Sequence, residues 1–363
     1  MKSNRFALLA ALVLLATLLS ACGGSSAARS ATWPGLAADE KAAYLTNGSV
    51  VFAIRLKDHK ELWRFPEKPS AKLLFNSNPV FTSDGQLLIG SSGTERTLFR
   101  VDPETGKDNW SFSDADDHWV ASPLVVGDMV YAPNADGYLY IFDLSKDDAE
   151  KFITKVELGG KLWSQPVSDG KLLYVPSLDH HLHAINMQTN KVEWVTNLGG
   201  AINGSPAIGD GQLYIGSFAK TMQAINTADG SIAWSADTKS WVWGGPLLDN
   251  GVLYFGDLGG NFYALNAADG TPVADSTKPD DAILATPLFL NGQIILVSES
   301  GNVYSITPGE TAQGMEKLDG KIYTAPVAAG GLILVAPYQS ESQVLLVALD
   351  ADGKVVWSFT PEN

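Results

Sequence analysis

The chain has 363 residues, of which 45% are hydrophobic and 18% charged, and this apolar fraction is too high for a chain that stays disordered. Its 25 Lys and Arg residues are outnumbered by 40 Asp and Glu residues, which gives a net charge of −15 at pH 7. Binding to nucleic acid depends on cationic side chains that neutralise phosphates, so this balance argues against a nucleic-acid partner.

The first 21 residues have the pattern of a bacterial secretion signal. Lys2 and Arg5 precede an apolar stretch over 6–19, which is short for a membrane span but suits the apolar region of a signal peptide. Small residues at 20–21 lead into Cys22, the only Cys of the chain, and this pattern resembles a lipobox. The resemblance implies cleavage before Cys22 and attachment of a diacylglycerol to its thiol. The alternative is an ordinary secretory signal followed by an incidental Cys.

Three parts follow from this reading: a signal peptide at 1–21, a flexible linker at 22–32 that is rich in Gly, Ser and Ala, and one folded domain at 33–363. A lipidated chain would be extracytoplasmic and tethered by acyl chains rather than by a spanning helix. Gly23 after the Cys resembles an outer-membrane sorting signal of enteric bacteria. The sequence leaves open whether the outer or the cytoplasmic membrane holds the anchor.

Eight repeats of about 40 residues fill the folded domain. Each contains four short apolar segments separated by turns, and none has a long helical period. A repeat of four short strands predicts an all-β fold, an eight-bladed β-propeller of four-stranded antiparallel blades. A solenoid is less favoured, because neither end has an atypical capping repeat. A proline opens each repeat: Pro34, Pro79, Pro123, Pro166, Pro206, Pro246, Pro287 and Pro326.

The last strand of most repeats carries a tryptophan, which we expect to wedge between adjacent blades. Phe152 takes this place in the third repeat, and the tryptophan is lost near Ala274 and Met315. A glycine in the turn before that strand would supply the positive φ that such hairpins often need. The tryptophans are Trp63, Trp110, Trp194, Trp234 and Trp357, and the glycines are Gly106, Gly230, Gly270 and Gly353.

The segment Phe-Tyr-Ala-Leu-Asn-Ala-Ala-Asp-Gly at 262–270 and its counterparts resemble the pyrroloquinoline-quinone-type propeller repeat. With the lipobox, the short linker and eight such repeats, the chain resembles the BamB family of outer-membrane assembly lipoproteins. That resemblance implies a single propeller that works as a non-enzymatic scaffold, needs no cofactor, and binds an envelope partner such as a β-barrel assembly protein.

A quinoprotein dehydrogenase, or a propeller that binds a small ligand, is the alternative within the same superfamily. Those enzymes hold the quinone on the propeller axis with a Ca²⁺ ion, a catalytic Asp and usually a disulfide of adjacent cysteines. This chain has no Cys pair and is shorter than those enzymes, and no cluster of oxygen ligands marks a Ca²⁺ site. The prediction is therefore that the protein is not an enzyme.

Aromatic residues ahead of the repeat prolines form the candidate binding site. The proline-marked strand is predicted to be innermost, so these residues would form a rim around the central channel that contacts a partner or stacks on a ligand. The alternative is that they close the channel mouth as packing. Four lie three positions before a proline and two lie close by: Trp163, Asn203, Trp243 and Tyr323, then Trp119 and Trp241.

Two polar clusters have a structural interpretation instead. The run Asp179-His180-His181-x-His183 falls in a hairpin turn and the strand after it, so no metal site is predicted there. The aspartate pairs at 116–117 and 280–281 are interpreted as solvated loop carboxylates rather than as an acid–base pair. The run Gly-Ser-Ser-Gly-Thr at 90–94 reads as a hairpin turn, because no helix follows it to bind a phosphate.

Overall fold

The computed structural model describes residues 33–308 and 310–362, so the predicted signal peptide at 1–21, the linker at 22–32 and the lipid site at Cys22 lie outside the described residues. The described residues form eight four-stranded antiparallel sheets and a single 3-10 turn at Asp148–Glu150. The predicted eight-bladed propeller is confirmed. Within these ranges, no helix combines the length and the apolar character that crossing a membrane requires.

Each blade is one continuous stretch of chain whose four strands pair in sequence order. Blades 1 to 4 contain β1 (Gly35–Ala38), β2 (Ala42–Asn47), β3 (Val50–Arg55), β4 (Glu61–Phe65); β5 (Val80–Phe81), β6 (Leu87–Gly90), β7 (Leu98–Val101), β8 (Asp108–Phe112); β9 (Leu124–Val126), β10 (Met129–Pro133), β11 (Tyr138–Asp143), β12 (Phe152–Glu157); and β13 (Val167–Ser168), β14 (Leu172–Pro176), β15 (His181–Asn186), β16 (Lys191–Asn197). Blades 5 to 8 contain β17 (Ala207–Gly209), β18 (Gln212–Ser217), β19 (Thr221–Asn226), β20 (Ile232–Asp237); β21 (Leu247–Asp249), β22 (Val252–Gly256), β23 (Phe262–Asn266), β24 (Pro272–Thr277); β25 (Leu288–Leu290), β26 (Gln293–Val297), β27 (Asn302–Ile306), β28 (Gln313–Lys317); and β29 (Val327–Ala329), β30 (Leu332–Val335), β31 (Leu346–Leu349), β32 (Val355–Phe359).

The first strand of every blade starts directly after the repeat proline and lies nearest the axis. Blade 4, for example, starts at Val167 after Pro166. The first strands of neighbouring blades contact one another, as β17 contacts β21 and β1 contacts β29. Proline suits the start of such a strand, because its missing N–H breaks no hydrogen bond of the sheet there. The predicted innermost position of the proline-marked strands is confirmed.

The hydrophobic core is divided into eight clusters, each of which lies between two adjacent blades. Tyr174 of blade 4 and Ile215 of blade 5 belong to one such cluster. Phe52 of blade 1 and Trp357 of blade 8 belong to another, so the ring is closed by the same kind of packing as its other junctions. The first and last strands belong to separate blades, and blades 8 and 1 share no sheet.

The tryptophans of the last strands pack against the next blade, which confirms their predicted role as wedges. The indole N–H of Trp194 donates a hydrogen bond to the carbonyl oxygen of Thr227 at 3.1 Å, and that of Trp234 donates to Ala267 at 2.9 Å. A Cβ on Gly230, which has a φ of +73°, would lie 2.5 Å from the ring of Trp194. Glycine is therefore needed there both for the backbone conformation and for the room.

Phe152 does not take the tryptophan position of the third blade, so that sequence alignment was wrong. In blade 4, Trp194 pairs with Ala184, and the matching residue in blade 3 is Thr154, which pairs with Ile141. Phe152 stacks on Phe112 of blade 2 instead, with ring centroids 5.3 Å apart. The turn before β12 is longer than its counterparts and contains the 3-10 turn, which displaced the alignment.

Met315 fills the wedge position of blade 7. A Cβ on Gly353 of blade 8 would lie 2.4 Å from the Cβ of Met315, the same relation that Gly230 has to Trp194. Methionine adapts its shape to an irregular gap, so it can replace an indole at this junction.

Candidate functional site

A cavity of about 170 Å³ lies on the propeller axis, and we call it the axial cavity. All eight blades contribute residues to it: blades 2 to 8 contribute the three residues before the repeat proline, such as 163–165 in blade 4, and blade 1 contributes Trp33 and Pro34. The cavity therefore opens on the face where the chain passes from blade to blade. We call this face the connection face and define it by the connections at 66–79, 113–123, 158–166, 198–206, 238–246, 278–287 and 318–326.

The rim of the axial cavity is formed by the residues three positions before the prolines. Four of the six predicted site residues occupy these positions, on blades 4, 5, 6 and 8: Trp163, Asn203, Trp243 and Tyr323. All four are half-buried. The structure thus brings these four residues together around one opening, as their common distance from a proline predicts. Whether they bind a partner or a ligand stays a prediction.

Trp119 is not part of this rim, and its inclusion among the candidate site residues was wrong. Its side chain is 1% exposed and lies in the core cluster between blades 2 and 3. Its indole N–H donates to the carbonyl oxygen of Arg96 at 3.0 Å, and its ring contacts Tyr140 with centroids 5.2 Å apart.

Alternation along the extended connection explains this difference, because neighbouring side chains point in opposite directions. The residue four positions before the proline points into the core and is fully buried in seven blades, whereas the residue after it faces the axis. The buried set is Phe75, Trp119, Leu162, Ile202, Val242, Ile283 and Ile322.

Trp241 lies on the connection face but does not line the axial cavity. Its side chain is 48% exposed and stacks on Phe218, with ring centroids 5.3 Å apart and planes 7° apart. Phe218 also contacts Trp243 of the rim at 5.6 Å. A partly exposed aromatic cluster therefore extends from the rim across blades 5 and 6. Phe218 was not among the predicted site residues, although its place in the hairpin before β19 aligns it with the apolar Leu258 of blade 6.

The wall of the axial cavity is polar but uncharged. Among the described residues that line it, none is Asp, Glu, Lys, Arg or His. Amide and hydroxyl side chains come from every blade except 1 and 6. Three lining residues hold a buried polar atom that has no hydrogen-bond partner in the described chain: Asn76 Oδ1, Ser77 Oγ and Trp163 Nε1. Each of these atoms has almost no accessible surface, so they lie behind the surface of the cavity rather than on it.

Several other residues of this wall were not among the predicted site residues. Asn76, Val120 and Leu284 lie three positions before their prolines, so the same rule applied to every repeat would have found them. Trp33 adds a fourth aromatic side chain from blade 1, where it directly precedes Pro34.

Hydrogen bonds fix the connections to the neighbouring hairpins. Within the connection face, the N–H of Leu178 donates to Lys161 O at 3.0 Å, and the N–H of Phe218 donates to Ala201 O at the same distance. The equivalent bond in blade 6 joins the N–H of Leu258 to Trp241 O at 2.8 Å. These repeated contacts hold the rim on rigid backbone.

Asp280 holds the connection into blade 7 to the hairpin that follows it. Its carboxylate accepts hydrogen bonds from the hydroxyl groups of Ser298 and Ser300 and from the amide of Asn302. The bonds from Ser300, Asn302 and Ser298 outweigh partial burial and lower the pKa of Asp280 to about 2. Asp280 therefore has a structural role. In the other acidic pair, Asp117 accepts from Lys161 Nζ at 3.3 Å.

The histidine-rich segment of blade 4 is partly buried and lies outside the axial cavity. His181 Nδ1 lies 3.3 Å from Asp179 Oδ1, and the ring centroids of His181 and His183 are 6.1 Å apart. Burial lowers the pKa of His183, which favours the neutral imidazole. In the described part of the chain, no group of three or more His, Cys, Asp or Glu residues has the arrangement of a metal site.

Comparisons with known proteins agree with the fold. The family model described as outer membrane protein assembly factor BamB matches residues 47–152 and 144–358, from the end of β2 into the last strand. The crystal structure of BamB from Moraxella catarrhalis matches with a TM-score of 0.70 and 16% identity, over 89% of this chain and 96% of that chain. A computationally designed protein, Ika8, matches with a TM-score of 0.70 and 14% identity, over 90% of this chain and 95% of that chain. Among curated protein sequences there is no match.

The described residues of the axial cavity do not fit pyrroloquinoline quinone, the group that the repeat type implies. That quinone carries three carboxylates, and a site for it needs cationic side chains to pair with them. A Ca²⁺ ion beside it needs several oxygen ligands, usually including carboxylates. The described lining residues include neither cations nor carboxylates.

Proposed function

Because the chain belongs to the family of outer membrane protein assembly factor BamB, we propose that it is a non-enzymatic scaffold that contributes to the assembly of outer-membrane proteins. The observation that carries this proposal is the family match, which spans all eight blades. The mechanism is binding: a single propeller presents its connection face to a β-barrel assembly protein of the envelope.

The partly exposed aromatic cluster on the connection face is the surface that we assign to this partner. Trp241 exposes a ring that stacks on the half-buried Phe218 beside the rim, and aromatic side chains at the centre of an interface contribute much of its binding energy. The hydrogen bonds between hairpins and connections support this role, because a rigid surface loses little conformational entropy when it binds.

A lipid on Cys22 would keep the propeller at a membrane without a spanning segment. The lipobox at the end of the apolar stretch supports this part of the proposal, and the linker at 22–32 would give the propeller reach from the membrane surface. Gly23 after the Cys favours the outer membrane, in line with the family description.

The test is capture of partners by the tagged full-length protein from gently solubilised membranes. We expect a β-barrel assembly protein in stoichiometric amount, and mass spectrometry should find a diacylglycerol on Cys22. The Cys22→Ser variant should lose the lipid and leave the membrane fraction, yet still capture the purified partner. Recovery of no assembly protein by the wild type would refute the scaffold function.

A further inference from the structure

We propose that the axial cavity is a binding site for a neutral carbohydrate, with one sugar ring inside the cavity and the rest of the glycan across the connection face. This inference goes beyond the scaffold function and does not depend on it. It rests on the aromatic rim, the hydrogen-bonding wall, the absence of charge among the described lining residues and the size of the cavity.

The aromatic rim supplies flat apolar surfaces of the kind on which the C–H faces of sugar rings stack. Trp163, Trp243 and Tyr323 surround the opening, and Trp33, directly before Pro34 of blade 1, adds a fourth ring to the lining of the cavity. All four are half-buried, so each leaves part of its ring surface to solvent. Ligand sites commonly combine such aromatic surfaces with a few positioned polar groups.

The hydrogen-bonding wall supplies partners for hydroxyl groups. Asn203 lies on the rim between the two tryptophans in ring order, and Ser205 and Thr286 lie beside the first strands below it. Amide and hydroxyl side chains can both donate and accept hydrogen bonds, as the hydroxyl groups of a sugar do.

Charge and size restrict the ligand further. In a chain with a net charge of −15, the described lining residues carry no charge, so the site favours a neutral ligand over a phosphate or a carboxylate. A cavity of about 150 Å³ holds one benzene molecule, so the 170 Å³ of the axial cavity suits about one six-membered ring.

The same wall favours a sugar over the apolar side chain of a peptide. Amide and hydroxyl groups from six blades reach the cavity, whereas Val120 and Leu284 are its only aliphatic side chains larger than alanine or proline among the described residues. Some of these groups bond within the protein, as Ser164 Oγ does to Ile202 O and Gln165 Nε2 to Pro123 O, and a sugar can bond to those that remain, whereas an apolar side chain cannot.

The experiment is titration of the full-length protein with maltohexaose, cellohexaose and chitohexaose, three neutral oligosaccharides, followed by calorimetry and by tryptophan fluorescence. The detergent must lack a sugar head group, because a maltoside would compete for the site. We expect at least one of them to bind at a single site with a Kd below about 1 mM. Pyrroloquinoline quinone and an aromatic peptide are titrated in parallel. The proposal is overturned if none of the three sugars binds. It is also overturned if both rim variants described next bind the sugar as tightly as the wild type does.

Variants locate the binding site. Trp163→Ala and Trp243→Ala should each weaken sugar binding at least about tenfold. The matched control is Phe152→Ala, which removes a 40% exposed aromatic ring from β12 rather than from the connection face, and it should change the Kd less than about twofold. If Trp163→Ala does not fold, sugar binding by Trp163→Phe and Asn203→Ala tests whether the ligand lies in the axial cavity. The first should keep most of the affinity and the second should lower it.

Two outcomes would overturn the assignment. One is sugar binding that is unchanged in both rim variants, or equally weakened by Phe152→Ala, which would place the ligand elsewhere. The other is tight binding of the quinone or of the peptide in the cavity without any sugar binding. Partner capture by the same variants is scored separately, so loss of the scaffold function and loss of the sugar site can be told apart.

Discussion

Two glycines of blade 5 have the same left-handed backbone but different surroundings. Gly211 has a φ of +74° and Gly230 a φ of +73°. A Cβ on Gly211 would meet nothing within 4 Å, whereas a Cβ on Gly230 would meet the ring of Trp194. The pair therefore separates the energetic cost of the backbone conformation from the cost of displacing a wedge tryptophan.

We expect Gly211→Ala to lower the free energy of unfolding by about 1–2 kcal/mol, the cost of a left-handed L-residue. Gly230→Ala should cost about 1–3 kcal/mol more, because the added methyl group overpacks the junction of blades 4 and 5. Urea unfolding of both variants measures the difference. Equal losses would contradict the wedge role of Trp194.

Trp241 has the exposure of a contact residue rather than of a core residue. Its side chain is 48% exposed, whereas Trp119, also close to a repeat proline, is 1% exposed. A surface substitution changes stability little, but an aromatic contact at the centre of an interface dominates binding.

Trp241→Ala should therefore leave the free energy of unfolding within about 1 kcal/mol of the wild type and weaken capture of the assembly partner at least about tenfold. The control is Val356→Ala in β32, the outer strand of blade 8. This side chain is 51% exposed and belongs to none of the connections that define the connection face. Normal partner capture by Trp241→Ala would place the partner on another surface.

The connections and hairpins of blades 7 and 8 are joined through carboxylates. Asp280 accepts bonds from the hairpin of blade 7, and Asp319 accepts from Ser340 Oγ at 2.9 Å in blade 8. Hydrogen bonds lower the pKa of both carboxyl groups to about 2, with Ser300 the main cause for Asp280 and Ser342 for Asp319. Ionised carboxylates therefore hold the connections into blades 7 and 8 to the hairpins of those blades.

This predicts an acid-sensitive contribution to stability. The folded pKa of Asp280 lies below its ordinary value of 3.8, so its contribution is present above about pH 4 and is lost as the pH falls towards 2. Asp280→Asn should remove part of the stability at pH 5 and flatten its decline between about pH 4 and 2. Thermal unfolding at several pH values measures this. Asp281→Asn, which alters the adjacent carboxylate, is the control, and the same flattening in that variant would contradict the assignment.

The ring as a whole closes by packing between blades 8 and 1, without a shared sheet. Phe52 of blade 1 contacts Phe359 of blade 8 with ring centroids 5.9 Å apart. Arg64 donates to the carbonyl oxygen of Glu362 at 3.1 Å, and Thr324 donates to that of Pro34. The closing junction thus has the same kind of core as the others.

Phe52 and Phe99 hold the same repeat position at two junctions and are 6% and 9% exposed. Phe52→Ala opens a cavity at the closing junction, and Phe99→Ala opens one between blades 1 and 2. Each should lower the free energy of unfolding by about 3–5 kcal/mol. Denaturant unfolding compares the two, and a much smaller loss for Phe52→Ala would mean that the closing junction contributes little to stability.

The sequence by itself determined the blade count, the strand order and the wedge tryptophans. These features depend on local signals, namely turn glycines, short apolar strands and a proline before each inner strand. These signals recur along the eight repeats. The rim residues Trp163, Asn203, Trp243 and Tyr323 followed from the same spacing.

Only the tertiary structure decided which neighbouring side chains face the axis and what they form together. Trp119 lies one position before the rim position of its repeat and points into the core, because alternate residues of an extended segment face opposite sides. The position of Phe152 depended on the longer turn before β12. Closure of the ring depended on packing between blades 1 and 8. The uncharged axial cavity combines residues about 40 positions apart, so its chemistry exists only once the eight blades have closed into a ring.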